Sequence, residues 1–260
     1  MTAPVLYERD GGVGVITLNR PDNRNSMTEE VLSAFAARLG EARQDAALRC
    51  LVVTGRGRSF CAGADFKSQV QREAPGKQPH ERSFAMYEPF LALRDVEVPV
   101  VGALNGHAVG GGFGLALMCD LRYARADAKY GANFTRLGLH PGMAVSYLLP
   151  RLVGLARASE WLYTGRLFDG DEGARAGLFN DALEGEAVLP RALEVAAAIA
   201  RSAPVAVRMT KKSVLDGLGW DVRAAAHREA FAQAVTLTTE DVSEGVSALL
   251  EKRDPVFEGR

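Results

Sequence analysis

Three short apolar runs rich in β-branched residues, VGVITLN (13–19), CLVVTG (50–55) and the strand-like VPVVGALNG (98–106), constrain this chain more than any other feature. Each is short and apolar throughout, the pattern of a buried strand. Between the first two lies SMTEEVLSAFAARLGEARQD, whose periodicity is helical and whose Ser26-x-x-Glu29 spacing predicts a capping box at its start. The third run passes through three glycines into FGLALMCD, and LRYARADAKYG then reads as one or two further strands. Alternation of strand and helix predicts an α/β core with crossover connections. From about Ala144 the pattern predicts helices only, ending in a long pair over 220–252, and a soft boundary near 200 divides a core (1–200) from a helical region (201–260). The polar stretch at 69–83, with Pro75, Gly76 and Pro79, reads as a mobile loop.

Composition narrows the function. The 260 residues, 47% hydrophobic and 24% charged, suffice for a full core. A formal charge of −1, from 31 basic and 32 acidic side chains without long blocks, leaves no footprint for nucleic acid or an anionic membrane. Cys50, Cys61 and Cys119 form no CxxC pair, which argues against a disulfide scaffold or a metal site and predicts buried thiols. The start, MTAPVLYERD, lacks a signal-peptide pattern, and no apolar stretch is long enough to span a bilayer, so the expectation is a soluble cytoplasmic protein.

The segment NGHAVGGGFGLALMCD (105–120) implies that something approaches the main chain closely, because glycines at a helix start are costly. A phosphate loop would need a following Lys-Ser or Lys-Thr, and in a dinucleotide fingerprint counted from Gly110 the third glycine falls on Leu115. A dinucleotide oxidoreductase therefore fails on spacing, while tight helix packing remains open. A second turn, SFCAGADFK (59–67), also follows a buried strand. Two strand ends with free amides can converge on one oxygen, the geometry of an oxyanion hole.

Those two turns, the GLHPG turn at 138–142 and the ending TEDVSEGVSALLEKRDPVFEGR together resemble the crotonase superfamily of enoyl-CoA hydratases and isomerases, over nearly the whole chain. The resemblance implies a spiral of ββα units, a C-terminal helical trimerisation region and a homotrimer or a hexamer built from two trimers. It implies an acyl-CoA thioester as substrate, with coenzyme A part of that substrate and no tightly bound cofactor or metal. The oxyanion donors carried over are the amides of Ala64 and Gly111. CoA would meet Lys67, Lys252 (from a neighbouring subunit), Ala62 beside Cys61, and Arg24.

This sequence departs from the resemblance where hydratases place two glutamates. It has Gly114 on the helix after the glycines and Phe134 after the next strand, and it has Gly142 where other branches carry an aspartate. Acid–base groups contribute about 10² to 10⁴-fold, so their loss predicts an enolate-stabilised lyase or isomerase step other than standard hydration. His140 is the first candidate to move a proton, against the alternative that it only fixes its turn. Tyr87 and Glu88 are candidates on a segment that also reads as an ordinary amphipathic helix. Phe113 and Phe134 would dry the acyl pocket or simply fill the core. Asp65 is expected to cap the following helix, Asp120 to be structural, and His107 to stand behind the site. A non-catalytic acyl-CoA carrier that keeps the fold is the competing class.

Overall fold

The computed structural model describes residues 2–65, 78–217 and 222–260. Strands β1 (Val5–Asp10) and β2 (Val13–Leu18) form an antiparallel hairpin, with Tyr7 opposite Ile16, and α1 (Glu29–Gln44) crosses over to β3 (Cys50–Gly55), which lies parallel to β2. The short β4 (Ser59–Cys61) follows, then α2 (Pro79–Leu91), β5 (Val100–Leu104), β6 (His107–Val109), α3 (Gly111–Met118), β7 (Leu121–Arg125) and β8 (Lys129–Gly131). Next come α4 (Val145–Val153), α5 (Leu155–Thr164), β9 (Phe168–Asp169), α6 (Gly170–Arg175), β10 (Asp181–Leu183) and α7 (Val188–Ala200). Helices α8 (Pro204–Asp216), α9 (Val222–Thr236) and α10 (Glu240–Glu251) complete the chain.

One arrangement recurs three times. In the pairs β3/β4, β5/β6 and β7/β8 the longer strand joins a sheet of order β1-β2-β3-β5-β7-β10, and the shorter joins a second sheet of order β4-β6-β8-β9. The uniformly apolar strand sequences follow from burial on both faces of the first sheet. Leu51, Val53, Val100 and Leu104 face the main core with α1, α2 and α3, whereas Cys50, Val52, Val101 and Ala103 face Val188, Ala192 and Ala196 of α7.

Three sequence expectations are corrected. Strands β9 and β10 occur beyond Ala144, where helices alone were expected; at two and three residues they are too short to show a period. Helix α1 is capped by Thr28, whose Oγ1 accepts from the Val31 amide at 3.2 Å, and not by Ser26, whose hydroxyl donates to the Asn23 carbonyl. Met27 is held in an extended bridge to Ala64, so the helix cannot start until that bridge ends. Within the stretch 69–83 the residues from Pro79 belong to α2, where Gln78 and Glu81 form a capping box, while 69–77 lie outside the described residues.

Two clasps attach the C-terminal helices to the core. The Lys211 ammonium on α8 lies 2.8 Å from Asp120 and donates to the Val98 carbonyl at 2.9 Å, and Asp120 also accepts from the Val100 amide. On α10 the buried Asp241 accepts from the amides of Glu258 and Gly259 at 2.8 and 2.9 Å, folding the tail back, where Phe257 accepts from Arg49.

Candidate functional site

Gly63, after β4, and Gly110, before α3, have φ of +84° and +57°, backbone that only glycine adopts without strain. The Gly63 carbonyl accepts from the Met27 amide at 2.8 Å, and the Gly110 amide donates to Gly131 of β8 at 2.9 Å. Strands β4 and β6 pair in parallel, Cys61 beside Ala108, and this brings the two turns together: a Cβ built on Gly63 would stand 3.2 Å from the Gly111 nitrogen. Among the described residues neither the Ala64 nor the Gly111 amide donates a hydrogen bond. Gly111 is the first residue of α3, so its amide is one of the unpaired donors of that helix and carries the positive end of its dipole. Two free amides on touching turns can hold one oxygen and stabilise negative charge on it.

The glycine run is also demanded by the protein's own packing. A Cβ on Gly112 would overlap the Cys61 carbonyl, and one on Gly111 would overlap the Met27 thioether. Helix packing and free amides are thus both present in this segment.

The loop before α1 borders the same turns. The Ala62 amide donates to the Arg24 carbonyl at 3.0 Å, which places Arg24 beside Ala62, and Asn23 donates to the Asp65 carboxylate at 3.3 Å. The helix Asp65 was expected to cap falls outside the described residues. Asn25, which sequence reasoning missed, is buried at φ +53°: its Oδ1 accepts from Arg20, and its Nδ2 donates to Arg56 and Ser59 at 3.0 and 2.8 Å. Its signal was available, because asparagine is one of the few side chains that tolerate left-handed backbone in a turn.

The groups that border Gly110, Gly114 and Gly142 are mostly apolar or aromatic. The Phe134 ring and the Asn133 amide oxygen come within 3.9 and 3.6 Å of the position a Cβ on Gly110 would take, so both border the glycine turn; Asn133 also escaped the sequence reading. Gly114 faces Met143, whose Cγ would stand 2.9 Å from a Cβ at 114. Gly142 faces the Tyr87 phenol, whose Cζ would stand 2.6 Å from a Cβ there. Phe113 is not brought to the turns: it is fully buried, edge-on to Phe168 at 5.8 Å between ring centres. His140 is exposed, its Nδ1 2.8 Å from the Pro141 carbonyl. A carbonyl only accepts, so this contact is a hydrogen bond when Nδ1 carries a proton.

Lys252 ends α10 in left-handed backbone and is exposed, and Lys67 lies outside the described residues. Other nucleophiles are withdrawn. Burial pushes the thiols of Cys50, Cys61 and Cys119 up to about 12, so none is a thiolate near neutral pH. Burial, then Arg58, lowers the His107 pKa, and its Nδ1 accepts from the Lys129 amide at 2.9 Å. Among the described residues no cluster of ligating side chains could hold a metal ion, and no helix is long and apolar enough to cross a membrane.

Known proteins resemble the chain along its length. The sequence model for enoyl-CoA hydratase/isomerase matches residues 8–260. A crotonyl-CoA hydratase of Syntrophomonas wolfei is 34% identical, covering 97% of each chain. A short-chain-enoyl-CoA hydratase of Clostridium acetobutylicum is 33% identical over 96% of this chain and 95% of its own. The crystal structure of an enoyl-CoA hydratase from Bacillus anthracis superposes with a TM-score of 0.93 at 32% identity, covering 99% of this chain and all of its own.

Proposed function

Because the chain belongs to the enoyl-CoA hydratase/isomerase family, we propose that it acts on an acyl-CoA thioester whose carbonyl oxygen takes hydrogen bonds from the amides of Ala64 and Gly111. The observation that carries this reading is the contact between the Gly63 and Gly111 turns, with both amides left unpaired among the described residues. Removing a proton beside a thioester, or adding to its conjugated double bond, places negative charge on that oxygen. Each amide aimed at it stabilises the transition state by about 3 to 4 kcal/mol.

The reaction is an enolate-stabilised step other than two-glutamate hydration: double-bond migration, decarboxylation or carbon–carbon cleavage. Gly114 and Phe134 stand where this reading places the two hydratase glutamates, and Met143 fills the space beside Gly114, which leaves no room there for a carboxylate and its water. His140 and the Tyr87 phenol are the candidates to move the proton. The CoA portion lies on the side of Ala62 and Arg24 and is held by Lys67 and by Lys252 of a neighbouring subunit, with no resident cofactor. Subunits assemble as trimers, or as hexamers of two trimers, through the apolar side chains that α9, α10 and the tail leave exposed, among them Phe231, Leu249, Leu250 and Val256.

The deciding measurement offers purified protein crotonyl-CoA and butyryl-CoA in deuterated water, following enoyl absorbance and deuterium uptake at the carbon beside the thioester. The expected result is uptake without rapid hydration. Rapid hydration would remove the non-hydratase part of the reading, and absence of any acyl-CoA binding would remove all of it.

A further inference from the structure

Gly114 lies three residues beyond Gly111, one helical turn along α3 and about 4.5 Å farther from the paired amides. At that depth the helix offers no side chain, and the space is filled from outside by Met143, whose Cγ and Cε would stand 2.9 and 3.5 Å from a Cβ at 114. Met143 is 1% exposed and sits at φ +58°, followed by Ala144 at φ +53°. Two successive non-glycine residues in left-handed backbone are unusual, and here they turn the thioether onto the helix surface. The groups around the two turns differ: Arg24, Asn23 and Asp65 lie by the Gly63 turn, whereas the Phe134 ring and the Asn133 amide oxygen border the Gly110 turn and, farther along, Met143 packs on Gly114 and Tyr87 on Gly142, a side made mostly of apolar and aromatic groups. A hydrocarbon chain attached to a carbonyl at the amides follows the apolar side and meets Met143 after one helical turn.

We infer that Met143 is the specificity-determining residue that ends the acyl site and restricts it to short acyl chains. This rests on the preceding reading that a thioester carbonyl sits at Ala64 and Gly111. Replacing Met143 by alanine deletes three heavy atoms and opens room for about two more methylenes, each worth about 0.8 kcal/mol, or fourfold in affinity.

The experiment measures binding of the saturated thioesters butyryl-, hexanoyl- and octanoyl-CoA by calorimetry, which needs no knowledge of the reaction. The native protein is expected to bind butyryl-CoA best. In Met143→Ala the ratio of hexanoyl- to butyryl-CoA affinity should rise by about 16-fold, that is, fourfold for each of two methylenes. Met143→Leu, similar in volume, should keep the native profile. Should Met143→Ala fail to fold, Met143→Gly, free of strain in left-handed backbone, carries the same expectation. A folded Met143→Ala or Met143→Gly variant with an unchanged profile overturns the inference while leaving the thioester reading intact. Failure of the native protein to bind any of the three overturns both.

Discussion

Replacing Gly111 by proline tests the polarising amide without removing a side chain. Proline is accepted at the first residue of a helix, where its fixed φ suits the helix and the lost N–H has no intrahelical partner. The added ring atoms would meet the Met27 thioether, so the substitution is made in a Met27→Ala background. Gly111→Ala in that background is the reference: it adds the same Cβ and retains the N–H. Loss of one preorganised donor costs about 3 to 4 kcal/mol in the transition state, a factor of about 10² to 10³ in turnover. In the ground state the oxygen is uncharged, one hydrogen bond is worth about 1 kcal/mol, and acyl-CoA affinity should fall only about fivefold. The assay is the rate of deuterium uptake beside the thioester of butyryl-CoA, read by mass spectrometry, with affinity and melting temperature measured on the same samples. Proline and alanine variants that exchange within about threefold of each other would refute the role of this amide.

The clasp between Lys211 and Asp120, whose side chains are only 8% and 18% exposed, gives a stability prediction. Lys211→Met leaves a largely buried carboxylate without its cation at a cost of about 3 to 5 kcal/mol, lowering the melting temperature by about 6 to 20 °C. Adding Asp120→Asn should recover most of that loss. The pH prediction concerns the Glu172 carboxyl, which the hydrogen-bonded Arg166 guanidinium holds below the usual carboxylate range. A lowered folded-state pKa means its contribution is complete above about pH 4.3 and is lost as pH falls through the folded value. Thermal melts of Glu172→Gln should therefore show a shallower acid slope than the native protein below that pH, with little difference in slope above it.

How legible each part was in the sequence depended on how local its cause is. Strand β5 was readable because burial on both faces selects an unbroken apolar run, and α1 because one face of four turns is buried. The start of α1 was misplaced because Ser26 and Thr28 both suit a cap, and what decides between them is a bridge to Ala64, far along the chain. The glycines at 110–112 announced a close approach, but their sequence could not say whose atoms approach. The structure places Met27 and Cys61 there, each from a distant segment. Met143 gave no local signal: GLHPGMAV reads as a turn, and only the fold seats its thioether on Gly114. The edge strands β9 and β10 take their identity from the neighbours they pair with, which composition does not encode.

The packing of Gly63 against Val109 and Gly111, and of Gly112 against Cys61, has a consequence for altering this protein. Main chain meets main chain at those points, so no rotamer stands between the two turns and their separation is as stiff as the sheet that carries them. Tyr87, Phe134 and Met143 can be randomised together around that fixed frame. On the proposed function, variants from such a library would differ in what they accept and how they move protons, while the paired amides stay in place.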